Sequence, residues 1–412
     1  MSAHLAVVNG RLVLPGGVEQ AELVICDGRI VAVGGLPKKW SGPRIDAGQM
    51  LVAAGFIDLQ LNGAFGVDFT EDGAGIWKAA ARLPEQGVTS FLPTVVSSPP
   101  DSVHSARRAL ASPPAGGGAV AEPLGLHLEG PLLNPDRRGA HSAEHLREPS
   151  AHLVADWCPE NGVVMVTIAP ELPGALEVIS LLARRGVTVA AGHSEATAEE
   201  AVEAVRAGVS HVTHLYNAMS PLHHRKPGLV GFTLARRDVT AGIIVDGVHS
   251  DPTAVAVAWN AKGSDGLVLI TDACALQGMQ DGPPDSDDAA PTTRSSSAGS
   301  TRSRSERPSL GSSMLTRRGN AVHNEQGALA GSVLTMPEAV RNLVEYTGCE
   351  ISEAVAAATA TPARVVGAGS KGVLAAGRDA DIVLLDDDLR VALTVVGGRI
   401  AYDPGALAPE RP

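Results

Sequence analysis

Eight short apolar runs, each separated from the next by an amphipathic or turn-rich stretch, constrain this chain more than any other feature. They fall at 56–61, 88–95, 124–128, 163–168, 187–191, 209–213, 240–245 and 267–271. Runs of this length without polar alternation suit strands buried on both faces, as in parallel sheets covered by helices. Helical patterns fill many of the intervals, at 79–86, 102–111, 174–185, 198–207 and 252–261, and Gly87, Gly186 and Gly208 mark helix ends. Eight strands alternating with helices predict an α/β fold, a (β/α)8 barrel of the TIM type. A doubly wound open sheet is the alternative, but no Gly-rich fingerprint follows the first strand.

The two ends of the chain have a different character. Asn9-Gly10 and Asp27-Gly28 sit between short apolar runs and favour the positive φ angles of tight hairpins. Near the C-terminus, runs at 380–385 and 391–396 lead into the turn Gly397-Gly398-Arg399-Ile400. The ends are therefore expected to pair into one small β-sandwich domain, from residues 1–53 and 369–412, with the barrel at 54–368 between them. Residues 281–320 fit neither part. This stretch is rich in Ser, Pro, Arg and Thr and almost lacks bulky apolar side chains, so it cannot bury enough surface to offset its ordering entropy. It reads as a disordered loop insertion, and a frameshifted stretch of coding sequence would look the same.

Composition narrows the function classes. Of 412 residues 44% are hydrophobic and 19% charged, enough apolar content for a large core. The net charge of −12 argues against nucleic acid and against an anionic membrane surface as partners. An anionic small substrate would need a local cationic pocket. No apolar run approaches the ~18 residues of a membrane span, and the N-terminus lacks the basic start of a signal peptide. Cys26, Cys158, Cys274 and Cys349 lie far apart, which disfavours a disulfide framework or thiolate zinc site. These features fit a cytoplasmic globular protein.

In such a barrel reactive side chains project from the C-terminal ends of the strands. Those positions hold Gln60 and Asn62 at the end of the first run, Glu129 after the third, His193 after the fifth, His214 after the sixth, His249 after the seventh and Asp272 after the eighth. One carboxylate and two imidazoles suit a borderline-soft divalent ion with a position left for water. Asp272 is placed to exchange a proton with that water. Any one of these histidines alone is more often a hydrogen-bonded structural residue; the case rests on the set. His127 reads equally as a group behind the ligands or as a satisfied core histidine, and His211 reads as structural. Cys274 lines the pocket or fills the core. His223-His224-Arg225-Lys226 is equally a solvated loop or a cationic clamp for an oxyanion. Arg107-Arg108 reads as an exposed helix face.

These residues resemble a known family. AGFID at 54–58, the split β-domain and the strand-end ligands look like the amidohydrolase superfamily. Within it HLEGP (127–131), GAH (139–141), APE (169–171), GHS (192–194), THLYNAM (213–219), DGVH (246–249), TDA (271–273) and LAGS (329–332) resemble the N-acetylglucosamine-6-phosphate deacetylases. The resemblance implies hydrolysis of N-acetylglucosamine 6-phosphate to glucosamine 6-phosphate and acetate. It further implies one divalent metal on Glu129, His193 and His214, with zinc foremost and iron, manganese or cobalt as options. Asp272 would be the general base and acid, and His141 would polarise the acetamide carbonyl. Asn217, Ala218 and Arg225 would hold the phosphate. Asp246, Gly247, Val248, His249, Leu329, Ala330 and Gly331 would line the sugar site, together with Gln60, Asn62 and Ala140. Such proteins are homodimers.

Two features qualify the match. Many amidohydrolases carry His-x-His after the first strand, where Gln60-Leu61-Asn62 stands here. Neutral amides are poor zinc ligands, so a mononuclear site is expected. Ile168-Ala169-Pro170 leaves no lysine to bridge two metals, which disfavours a dihydroorotase or hydantoinase. Residues 281–320 replace or lengthen a short β-structured excursion between TDA and LAGS. The alternatives are an amidohydrolase acting on a cyclic amide or another N-acyl substrate, and a catalytically impaired homologue.

Overall fold

The computed structural model describes residues 4–38, 40–116, 118–279 and 308–407. Its centre is a barrel of eight parallel strands: β1 (Phe56–Leu61), β2 (Val88–Val96), β3 (Leu126–Glu129), β4 (Val163–Ile168), β5 (Thr188–Ala191), β6 (Val209–Val212), β7 (Thr240–Ile243) and β8 (Leu267–Leu269). Each pairs with the next from β1 to β8. The seam between β8 and β1 closes just beyond the strand ends. There the Asp272 N–H donates to the Gln60 carbonyl at 2.9 Å, the Asn62 N–H donates to the Ala273 carbonyl at 2.8 Å, and Leu61 bridges Ala273.

The strands are buried on both faces, as unbroken apolar runs require. Covering helices follow the amphipathic stretches. Ala198–Ala207 begins at a capping box in which Thr197 and Glu200 bond each other's backbone, and it stops at Gly208, whose φ of 132° only glycine adopts readily. Sequence patterning missed the helix Gly228–Ala235, which is apolar nearly all round and lacks the two-faced pattern that reveals a surface helix. Between β3 and β4 the described residues form short 3-10 turns.

The two chain ends do meet in one sheet. Strands Val391–Val396 and Ile382–Leu385 continue through Leu51–Ala54 to His4–Leu14, Gly17–Cys26 and Arg29–Gly34. The expected sandwich is realised as this continuous mixed sheet, whose central strands Leu51–Ala54 and Ile382–Leu385 are buried on both faces. Leu51, Ala53, Val383 and Leu385 join the barrel core, while Val52, Ala54, Ile382 and Leu384 join a separate small core. That is the period-two alternation of a strand between two apolar layers.

The expectation for 281–320 is corrected in part. Residues 280–307 lie outside the described residues. From Pro308 onward the chain is ordered as an antiparallel meander of Ser309–Leu310, Ser313–Arg318, Ala321–Asn324 and Leu329–Ser332. The β-structured excursion is therefore present. Its last strand continues the barrel seam, with the Ser332 N–H donating to the Asp272 carbonyl at 2.9 Å. The four cysteines are free. Among the described residues no helix is long and apolar enough to cross a membrane.

Candidate active site

The C-terminal ends of β3, β5 and β6 bring Glu129, His193 and His214 together inside the barrel mouth, all three buried. Glu129 Oε1 lies 3.2 Å from His193 Nε2 and 2.9 Å from His214 Nε2, and the two nitrogens are 3.0 Å apart. His193 Nδ1 donates to the Arg137 carbonyl at 2.9 Å, so its Nε2 keeps a lone pair directed at the other two atoms. Converging lone pairs at these distances repel unless a cation stands among them. A four-coordinate ion with bonds of ~2.1 Å holds its donors roughly 3.4 Å apart, close to the spacing here. The residues therefore fit a divalent metal. Burial works to raise the Glu129 pKa, but the adjoining His193 and His214 side chains overcome it and hold the carboxylate well below its usual range.

Asp272 sits beyond β8. Its Oδ1 accepts from Asn62 Nδ2 at 2.7 Å and from Gln60 Nε2 at 3.0 Å, and the same Gln60 nitrogen donates to Glu129 Oε1 at 2.8 Å. Among the described residues no donor reaches Oδ2. Burial first, and the Glu129 charge second, push Asp272 up to about 6. His193, His214 and Asp272 all have positive φ, at 50°, 26° and 49°. Left-handed backbone at a non-glycine costs on the order of 1–3 kcal/mol and gathers at functional sites. Here it turns three side chains inward from the ends of three strands.

His141 approaches from the loop after β3. Its Nδ1 accepts the Ser97 backbone N–H at 3.2 Å and lies 2.9 Å from the Ser97 hydroxyl. The ring proton therefore belongs on Nε2, which faces the cavity 3.8 Å from Glu129 Oε2. Burial, then the nearby His193, push His141 down to about 3, so the ring is a neutral donor.

One cavity opens over these groups. It is lined by Asn62, Ala140, His141, Asn217, Ala218, His249, Asp272, Leu329 and Gly331 as well as the three clustered residues. Other expected site residues stand apart from its surface. Gln60 is buried behind it, holding Glu129 and Asp272. Asp246 orients His249 through Nδ1 at 2.7 Å and caps the N–H groups of Val248 and His249. Gly247 packs at that turn, Val248 is exposed, and Ala330 points into a small apolar cluster. Arg225 lies in the exposed turn His223–Lys226, its guanidinium 2.8 Å from His224 Nε2, and is not among the lining residues.

His127 resolves as a core histidine. Its Nδ1 donates to the Leu59 carbonyl, its Nε2 meets the Thr167 hydroxyl at 2.8 Å, and burial pushes it down to about 4. His211 pairs with the Thr240 hydroxyl, as a structural role requires. Cys274 belongs to the apolar cluster, and burial pushes its thiol up to about 12. Sequence reasoning missed Ser97, which sets the His141 tautomer, and Val96 and Leu310, which line the cavity. Glu171 stood out in the sequence only as part of a motif. That carboxylate accepts from Asn134, Ser194 and the Glu195 N–H, and so braces the loops flanking His193.

A closed parallel barrel with Glu, two His and Asp at its strand ends defines a hydrolase of the amidohydrolase class, and the profile of the Amidohydrolase family matches residues 51–401. The chain is 38% identical over 420 residues to N-acetylglucosamine-6-phosphate deacetylase of Homo sapiens, covering 98% of this chain and 96% of the relative. It is 33% identical over 407 residues to the Bacillus subtilis (strain 168) protein of the same name, covering 97% and 96%. The solved structure of a mutant N-acetyl-D-glucosamine-6-phosphate deacetylase from Mycobacterium smegmatis, in complex with N-acetyl-D-glucosamine-6-phosphate, superposes with a TM-score of 0.83 at 31% identity, covering 97% of this chain and all of that one. The chain belongs to the N-acetylglucosamine-6-phosphate deacetylases of the amidohydrolase family.

Proposed function

We propose that this chain removes the N-acetyl group of N-acetylglucosamine 6-phosphate, releasing acetate and glucosamine 6-phosphate in the cytoplasm. The observation that carries the reading is the buried triad Glu129, His193 and His214 beside Asp272, in a chain with full-length similarity to deacetylases of that name. Glu129, His193 and His214 would hold one divalent metal, zinc foremost. When bound there, such an ion acidifies water and polarises a carbonyl. Gln60 and Asn62 are occupied as amide donors to Glu129 and Asp272, which favours a single metal.

The protein's own groups supply the rest. Asp272 has two amide N–H bonds on Oδ1, leaving Oδ2 to take a proton from the attacking water. The neutral His141 donates through Nε2 to the acetamide oxygen as negative charge develops on it. Asp272 then returns the proton to the departing amine nitrogen. Asn217 and Ala218, at one wall of the cavity, would face the sugar phosphate. Among the described residues the cavity lining offers no Arg or Lys, so a phosphate needs a cation from its rim. Arg225, seven residues beyond Ala218 in chain, is the candidate. His249 and the Leu329–Gly331 strand would border the sugar ring. The assembly we infer is a homodimer.

The test is acetate release from N-acetylglucosamine 6-phosphate beside the unphosphorylated sugar, on metal-stripped and zinc-restored protein. Metal-dependent turnover that strongly prefers the phosphorylated sugar supports the reading. Metal binding without turnover of either sugar overturns it.

A further inference from the structure

The buried carboxylate of Asp68 takes no part in the chemistry above, yet it lies close to the cavity wall. It accepts from the Gly311 N–H at 2.7 Å, the Ser309 hydroxyl at 3.0 Å and the Thr70 N–H at 2.9 Å. Ser309 and Gly311 flank Leu310, so one carboxylate clamps the chain on both sides of that side chain. Thr70 in turn accepts the Val96 N–H at 3.1 Å through its hydroxyl. A Cβ built on Gly311 would stand 3.3 Å from Val96 Cγ2, which shows how closely the meander approaches β2. Leu310 and Val96 belong to one small apolar cluster, with Ala140 packed against it, and all three line the cavity.

This apolar wall is joined to the carbonyl-polarising group on two sides. Ser97, next to Val96, fixes His141 Nδ1, and Ala140 immediately precedes His141. An acyl group whose oxygen faces His141 Nε2 can direct its alkyl end to this adjacent wall. Of the remaining lining, Asn62, Asn217, His249, Asp272 and the three clustered residues are polar, while Ala218, Ala328 and Leu329 are apolar. The alkyl end of an acyl group gains from leaving water only against the apolar side.

We propose that Leu310 and Val96, both set by Asp68, form the seat of the substrate's N-acyl methyl, and that Leu310 limits the length of the N-acyl chain. The inference rests on the deacetylase reading above. It makes the meander, rather than the barrel, the part of the molecule that selects the acyl group. One methylene in an apolar pocket discriminates by roughly 10–200-fold, so a single leucine suffices for that selection.

The experiment measures kcat/KM for glucosamine 6-phosphate release from the N-acetyl, N-propionyl and N-butanoyl forms of the substrate. Wild-type zinc-loaded protein is compared with Leu310→Ala, Leu310→Met and Val96→Ala. We expect a wild-type preference for acetyl, a rise of about tenfold or more in the butanoyl-to-acetyl ratio for Leu310→Ala, and a near wild-type ratio for Leu310→Met. Val96→Ala, on a barrel strand, should move the ratio in the same direction and serves if Leu310→Ala does not fold. Ratios within about twofold of wild type in the folded alanine variants, or an equal loss on all three substrates, overturn the proposal. Failure of the deacetylase reading would show separately, as wild-type protein that releases no amine from the acetyl form, and would remove the acyl seat with it.

Discussion

Asn62 Nδ2 donates to Asp272 Oδ1 at 2.7 Å, across the seam where β1 and β8 close the barrel. Two positions 210 residues apart are thereby joined, so that an amide on the first strand end holds a carboxylate on the last. The bond favours the ionised form of Asp272 against a site that pushes its pKa up.

Asn62→Ala removes that donor, so the Asp272 pKa rises and the base form appears only at higher pH. The acidic limb of the kcat/KM profile should move upward, with kcat reduced about tenfold or more at neutral pH. Asp272→Asn should remove turnover by about 10³-fold or more while the bound metal stays at the wild-type ratio. Metal loss in Asp272→Asn would make Asp272 a ligand instead.

Metal removal is expected to act on stability as well as rate. Without a cation, His193 and His214 crowd their lone pairs beside Glu129 in a buried site. Chelation should abolish turnover and lower the thermal midpoint by several degrees, and added zinc should restore both. Glu129→Gln should blunt the zinc-induced rise, as read by differential scanning calorimetry. An unchanged rise in that variant would place the metal elsewhere.

Asp58 gives the fold a pH dependence of its own. It is fully buried, bonded to the Thr271 hydroxyl and to the N–H groups of Gln60 and Thr271, and burial raises its pKa from 3.8 to about 7. The folded state then binds the proton more tightly than the unfolded chain. Its contribution is greatest below the unfolded value and is lost as pH rises through about 4 to about 7. Three pKa units correspond to about 4 kcal/mol as an upper figure. Asp58→Asn should flatten the fall in urea midpoint between about pH 5 and about pH 8. A fall as steep as in the wild type would refute this role.

Arg225 lies in an exposed turn, outside the cavity lining. If it supplies the cation for the phosphate, Arg225→Ala should lower kcat/KM on the phosphorylated sugar by about 100-fold and leave the melting temperature unchanged. A wild-type kcat/KM would assign the phosphate to other groups.

Much of the site was legible because strand ends are legible. Glu129, His193, His214 and Asp272 each follow an apolar run, and barrel topology makes those positions converge. His127 remained ambiguous from sequence, because only its bonds to Leu59 and Thr167 distinguish a satisfied core group from a functional one. Ser97 carried no signal, since its importance lies in a bond to a loop histidine 44 positions away. The meander after residue 308 was hidden for a different reason. Its strands are short and polar on one side, and they follow a stretch of low complexity.

The order of apolar runs determined the barrel, its strand ends and the metal-compatible residues, because burial on both faces leaves a local imprint on composition. Tertiary structure alone decided which amide holds which carboxylate, which imidazole nitrogen bears the proton, and how Asp68 presents Leu310 to the cavity. Those are contacts between side chains far apart in sequence. Hydrogen bonds of this kind depend on distances of a few ångströms that no local pattern encodes.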